Sequence, residues 1–177
     1  KICVLDLYMD ALEAIYTRRS VRDYTDEDIS NEIIKKILKA GFSAPSAANQ
    51  QPWHFILIDD QSILDKIPGF HKRAKFITKA KKAILVCSDE KLEKFKGYWP
   101  IDCSAATENM LIAARALGIG SCWVGIYPQK NRIKELKKIF DLPESVIPFS
   151  IVSLGFTNQK QSEVERYKKD RIHYNKW

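Results

Sequence analysis

Arg18, Arg19, Ser20 and Arg22 fall within five consecutive positions of Thr17–Tyr24, TRRSVRDY. Cations this dense repel one another unless an anion joins them, and the planar guanidinium fork matches phosphate oxygens in bidentate fashion. Arg18 and Arg19 are therefore candidates to hold a phosphate, and Arg22 to reach another part of the same ligand. The competing reading pairs these arginines with Asp23, Asp26 or Glu27 on a solvated loop, where each ion pair would contribute little. A second dense stretch follows some twenty residues on. Ser43–Phe55, SAPSAANQQPWHF, combines prolines and small residues with Asn and Gln, the chemistry of a pinned turn. Nothing else competes for attention: the sequence shows no acid–base pair or nucleophile triad, and His54, His71 and His173 lack metal-ligand spacing.

These residues need elements to position them. Apolar spacing predicts a short helix over Met9–Tyr16 and a longer one over Asp26–Ala40, closed by Gly41. Trp53–Ile58 reads as a strand. Ala83–Ser88, AILVCS, reads as a strand buried on both faces. Ile101–Leu117 is apolar around most of its girth, which predicts a buried central helix ended by Gly118 and Gly120. Ser121–Ile126 and Ile147–Leu154 read as strands, with a charged surface helix over Arg132–Phe140 between them. In Glu90–Pro100, Tyr98 and Trp99 are expected to form a short lid. His71–Lys82, HKRAKFITKAKK, has six Lys or Arg and no acid. As a helix it would place Lys72, Lys75, Lys79 and Lys82 on one face. A solvated face is preferred to a nucleic-acid interface, because no aromatic interleaving accompanies the charge; attraction of dinucleotide phosphates is a third reading. Asn158–Trp177 is too polar to fold alone, yet Ile172, Tyr174 and Trp177 argue that it docks on something.

The 177 residues suit one domain with one core, and 45% hydrophobic with 29% charged residues is ordinary for a soluble globule. The net charge is +7. No apolar run approaches the roughly 18 residues of a membrane span, and no signal peptide is legible. Cys87, Cys103 and Cys122 sit in apolar surroundings without a CxxC pair, and read as small buried hydrophobes of a reducing cytoplasm. Lys1–Tyr8 read as extra, non-native residues ahead of a start at Met9.

The two motifs, in this order and spacing, resemble the nitroreductase family of flavin enzymes, whose patterns are RRSVR followed by Tyr or Phe, then APSAxNxQPW. DCSAATENMLIAARALGIGSCW (Asp102–Trp123) and the C-terminal RYKKDRIHYNKW extend the resemblance over about Met9–Trp177. It implies an α+β nitroreductase fold, a central, mostly antiparallel sheet flanked by helices in an intertwined homodimer. Residues 9–177 would form one domain, with 158–177 as an extension reaching the partner subunit. It implies FMN at the interface, NAD(P)H as electron donor, and ping-pong reduction of a nitroaromatic, quinone or similar small aromatic acceptor, with neither nucleic acid nor membrane as partner. By resemblance, Arg18 and Arg19 lie near the phosphate, Ser20 near the ribityl chain and Arg22 near the ring. Pro45, Ser46 and Asn49 reach the flavin from the partner subunit, Trp123, Val124 and Gly125 run along the ring, and Lys169 and Arg171 close on the phosphate. Many members carry a second glycine where this chain has Ile126, and larger ones carry an insertion that this chain lacks, which implies an open site. A specialised flavoprotein, such as a reductive dehalogenase or flavin-consuming enzyme, and a non-enzymatic flavin-binding protein are the rival readings.

Overall fold

The computed structural model describes residues 9–177; Lys1–Tyr8, and with them the expectation about the start, lie outside the described residues. The chain runs through α1 (Ala11–Thr17), α2 (Asn31–Phe42), β1 (Trp53–Ile58), α3 (Gln61–Leu64), α4 (Ile67–Phe70), β2 (Lys82–Asp89), α5 (Trp99–Ala116), β3 (Gly120–Gly125), α6 (Lys130–Ile139) and β4 (Val146–Gly155). Four strands form one sheet in the order β1-β2-β4-β3, every neighbouring pair antiparallel. Gly120 stands opposite Gly155 in the β3–β4 register.

Burial of β2 on both faces follows from its apolar run. Ile84 and Val86 face a core built with α2 and α5, while Ala83, Leu85 and Cys87 face a second core with Leu64, Ile67, Ile77 and Leu136. Helices therefore cover both sides of an antiparallel sheet. A bulge shifts the β2–β4 register between Val86 and Cys87, opposite Ser150 and Pro148. Proline has no N–H to give the ladder, so pairing slips there and Phe149 becomes the extra residue. Its carbonyl then accepts the N–H groups of Ile126 and Tyr127, at 3.2 and 2.9 Å.

Several elements differ from their sequence reading. Ser30, not Asp26, opens α2: its hydroxyl accepts the Ile33 N–H. Gly41 lies inside α2, where a Cβ would stand 3.0 Å from Met110 and 3.1 Å from Phe55; close packing on α5 explains this glycine, not termination. Trp99 begins α5 as a buried side chain set edge-on to Tyr127, so it is core and not lid. Tyr98 stays exposed. His71–Lys82 is not one helix. Lys72–Lys79 is a 3-10 turn kinked at Ala74, and Lys82 is already the buried first residue of β2. The four lysines share no face. Instead Lys79, Lys81 and Lys82 meet Asp23, Asp26 and Asp28 at 3.2, 3.0 and 3.4 Å, an ionic clasp between two charge runs of opposite sign.

Candidate active site

That clasp decides what the arginines face. Asp23 and Asp26, which could have neutralised them, are engaged by lysines. The arginine segment itself is pinned by apolar anchors. Val21 and Tyr24 are buried, Ser20 bridges Ser121 in parallel fashion, and the Val21 N–H donates to the Ser121 carbonyl at 2.9 Å. The Tyr24 hydroxyl donates to the Val21 carbonyl and meets Ser153 Oγ, each at 2.8 Å. The ring of Tyr24 lies against Gly155, where a Cβ would stand 2.6 Å from Cδ1; a Cβ on Gly120 would stand 2.9 Å from Val21. Two facing glycines thus let the segment settle onto the β3 edge.

Within this segment the three arginines divide. Arg18 pairs with Glu108 at 3.2 Å. Arg19 donates to the carbonyls of Tyr16, Arg18 and Ser162, stapling the start of the C-terminal stretch to α1. Desolvation first, then the nearby cations Arg166, Arg18 and Arg115, lower its pKa. Arg115 and Arg166 were not singled out by the sequence. Lys169 and Arg171 occupy a separate exposed 3-10 turn, and no hydrogen bond or ion pair recorded among the described residues joins them to Arg18–Arg22.

Arg22 instead lines a cleft of about 130 Å³ with His71, Arg73, Phe76 and the β3 end Cys122–Gly125, its guanidinium 5.6 Å from the Phe76 ring centroid. Trp123, Val124 and Gly125 are therefore brought together with Arg22. Ser20, Arg22 and Arg18 all act on the Cys122 thiol; burial nevertheless dominates and raises its pKa. His71 and Arg73 are functional candidates that the sequence did not yield, since nothing local ties residue 71 to residue 125. Burial, then Arg132, lowers the His71 pKa, and the Gly125 carbonyl opposes this. That carbonyl also accepts from Arg132 Nη1 at 2.7 Å.

Pro45 and Ser46 line a different cleft of about 270 Å³, with Ala47, Tyr98, Ile101, Asp102 and Ala105. Their loop is held in an unusual shape: Ala48, Asn49 and Gln51 have φ of 46°, 52° and 47°. Buried Asp102 supports it, accepting from the Ala47 N–H at 2.9 Å and Gln50 Nε2 at 2.5 Å. Gln50 Oε1 in turn accepts the N–H groups of Lys94 and Phe95 at 2.8 and 3.1 Å. Small-molecule sites enclose about 300–1,000 Å³, so neither cleft alone reaches that size, and one chain does not bring these two groups of residues together.

A model of the nitroreductase family matches residues 15–100 and 71–156. The chain belongs to the nitroreductase family. A provisionally named NADH dehydrogenase/NAD(P)H nitroreductase of Archaeoglobus fulgidus is 48% identical over 95% of this chain and 99% of its own length. One of the same name from Methanothermobacter thermautotrophicus is 44% identical over 96% of this chain and 88% of its own. The structure of a provisionally named nitroreductase from Desulfovibrio desulfuricans, solved in complex with FMN, superposes with a TM-score of 0.80 at 30% identity, covering 94% of this chain and 97% of that one. The nitroreductase fold expected from the motifs is the fold observed, here with a wholly antiparallel four-stranded sheet.

Proposed function

We propose that this nitroreductase-family chain is an FMN-dependent oxidoreductase that draws electrons from NAD(P)H and delivers them to a nitroaromatic, quinone or similar conjugated acceptor. The observation that carries this reading is the cleft lined by Arg22, His71, Arg73 and the backbone of Trp123–Gly125. Bound there, FMN would supply a ring that takes hydride from NAD(P)H and passes it to the acceptor. Three nitrogen-bearing side chains beside one aromatic wall suit such a ring, because negative charge grows on it during reduction. Arg22 supplies positive charge there. The edge of β3 away from β4 offers backbone N–H groups within Trp123–Gly125. Arg18, Arg19 and Ser20 lie on the same segment as Arg22 and serve the phosphate and its chain, with Lys169 and Arg171 arriving from the extension.

Each protomer's Pro45, Ser46 and Asn49 complete the site of a second copy in this reading, which makes residues 9–177 one domain of a homodimer. No helix among the described residues is long and apolar enough to cross a membrane. The buried free thiols Cys87, Cys103 and Cys122 support a reducing, cytoplasmic setting.

The test is reconstitution followed by kinetics. The protein should take up about one FMN per chain and prefer it to riboflavin, whose missing phosphate forfeits charge-assisted bonds. NADH or NADPH should bleach the flavin anaerobically with no acceptor present, and steady-state lines should be parallel, as one site serves donor and acceptor in turn. Equal affinity for riboflavin would remove the phosphate assignment; intersecting lines would remove the alternation.

A further inference from the structure

His71 is an unusual residue to find in this cleft. It caps α4 and opens the 3-10 turn, with its N–H on the Ile67 carbonyl and its own carbonyl on the Ala74 N–H. The residue is 7% exposed, and Nδ1 is buried without a hydrogen-bond partner. Two backbone carbonyls act on the ring, that of Gly125 and that of His71 itself. A carbonyl can only accept, so both favour a protonated ring nitrogen, and Nδ1, buried without a partner, is the nitrogen with room for a new charge-compensating proton. The groups around it are Arg132 of α6, Arg73 of the same turn, Arg22 of the arginine segment and the Cys122 thiol of β3. Three are cations, one is neutral, and no carboxylate among the described residues is recorded against the ring. Such an imidazole lacks the one thing that would let it hold a second proton: a negative charge in the cleft it lines.

We propose that His71 takes up a solvent proton on Nδ1 when a flavin in this cleft is reduced, and releases it on reoxidation. The proposal rests on the reading that the cleft holds FMN. Hydride from NAD(P)H brings two electrons and one proton to the ring, leaving NAD(P)⁺ and one added negative charge beside His71. A proton from water on Nδ1 restores the charge of the cleft. When the acceptor removes the hydride, the negative charge leaves with it and the proton returns to water. Arg22 stabilises the reduced ring at every pH, whereas His71 adds stabilisation only where it can titrate. Between the His71 pKa of the oxidised state and the higher one of the reduced state, reduction consumes one extra proton. Its equilibrium then gains a further tenfold for each unit by which pH falls, about 30 mV for a two-electron couple.

The experiment follows the imidazole directly. Full-length protein loaded with FMN and labelled with ¹⁵N-histidine is titrated by NMR, oxidised and then reduced with dithionite; His54 and His173 serve as internal references, and His71→Asn assigns the resonance. The expected result is at least a tenfold rise in proton affinity at His71 on reduction, with Nδ1 the nitrogen protonated. Midpoint potentials measured across the same pH range should lose the extra slope in His71→Asn, which keeps a hydrogen-bonding side chain but cannot titrate. A loaded protein whose His71 titrates identically in both redox states overturns the proposal and leaves the flavin reading intact. A protein that takes up no FMN overturns both. Where that variant folds poorly, His54→Asn and His173→Asn assign the His71 resonance by elimination and the wild-type titration decides the matter.

Discussion

Arg18 and Arg22 are four positions apart and have different work. Arg18 is tied to Glu108, whereas Arg22 lies over Phe76 in the cleft beside β3. Arg22→Ala should lower the midpoint potential of bound FMN, since the lost cation favours the reduced ring; each 1.4 kcal/mol lost is about tenfold in the reduction equilibrium. Arg18→Ala should weaken FMN retention and leave the potential nearly unchanged. Redox titration of both variants at saturating FMN checks the distinction, and equal potentials would erase it. Asp102 is the residue on which the Pro45 loop depends. Asp102→Ala leaves one buried and one half-buried donor unmatched and should cost about 1.5–3 kcal/mol in urea unfolding, with Asp102→Asn less harmful because one acceptor remains. The arginine cluster was legible in the sequence because its charge density is local. His71, Arg73 and Asp102 were not, because their meaning comes from residues dozens of positions away.

At the scale of elements, the strands and the central helix were legible from apolar runs, and their two-sided burial followed. The basic stretch at 71–82 was misread because charge spacing imitates a helix face, while Ala74 kinks the turn and the sheet claims Lys82. Gly41 was misread because a glycine that ends a helix and one that admits a neighbouring helix look alike in sequence. Gly155 makes a sharper case. Gly155→Ala drives a methyl into the Tyr24 ring, and overpacking of this kind costs about 1–3 kcal/mol. Since Tyr24 anchors the arginine segment, the variant should also bind FMN more weakly, measured by fluorescence of released flavin; unaltered affinity would separate the anchor from the site. The core thiols behave as a group. Burial pushes the Cys87 thiol up to about 12 and raises Cys103 and Cys122 as well. A raised thiol pKa contributes stability below the unfolded value near 8.5, and that contribution is lost as pH climbs toward the folded value. Urea midpoints should therefore fall between pH 8 and pH 11, and a thiol reagent at pH 8 should label these cysteines only as the protein unfolds.

The whole molecule carries apolar surface that one chain leaves uncovered. Leu12, Ile15 and Tyr16 on α1, Phe42 on α2, Ile101 on α5, and Val164, Tyr167, Tyr174 and Trp177 along the C-terminal stretch are all exposed. Obligate dimers bury about 2,000–5,000 Å² of such surface. Two incomplete clefts on one chain, one with the arginines and one with Pro45, point the same way. Removing 158–177 should convert a dimer that holds FMN into a species that is monomeric or aggregated and colourless, read by light scattering with absorbance at 450 nm. A truncated protein that stays dimeric and yellow would contradict this. The expectation of a homodimer came from the family resemblance, since no periodicity within one chain reveals where a second copy would sit.

The facing glycines of β3 and β4 have a consequence in the history of the family. Tyr24 occupies the volume that a side chain at 155 would need, and Val21 and Thr157 crowd the one at 120. Neither glycine can acquire a side chain by a single substitution without displacing the segment that carries the arginines. Drift at these positions must therefore proceed in pairs. In an alignment of relatives that keep the arginine motif, a residue larger than glycine at 155 should occur only where the aromatic ring at 24 has shrunk. Chains that have lost the motif should show no such pairing.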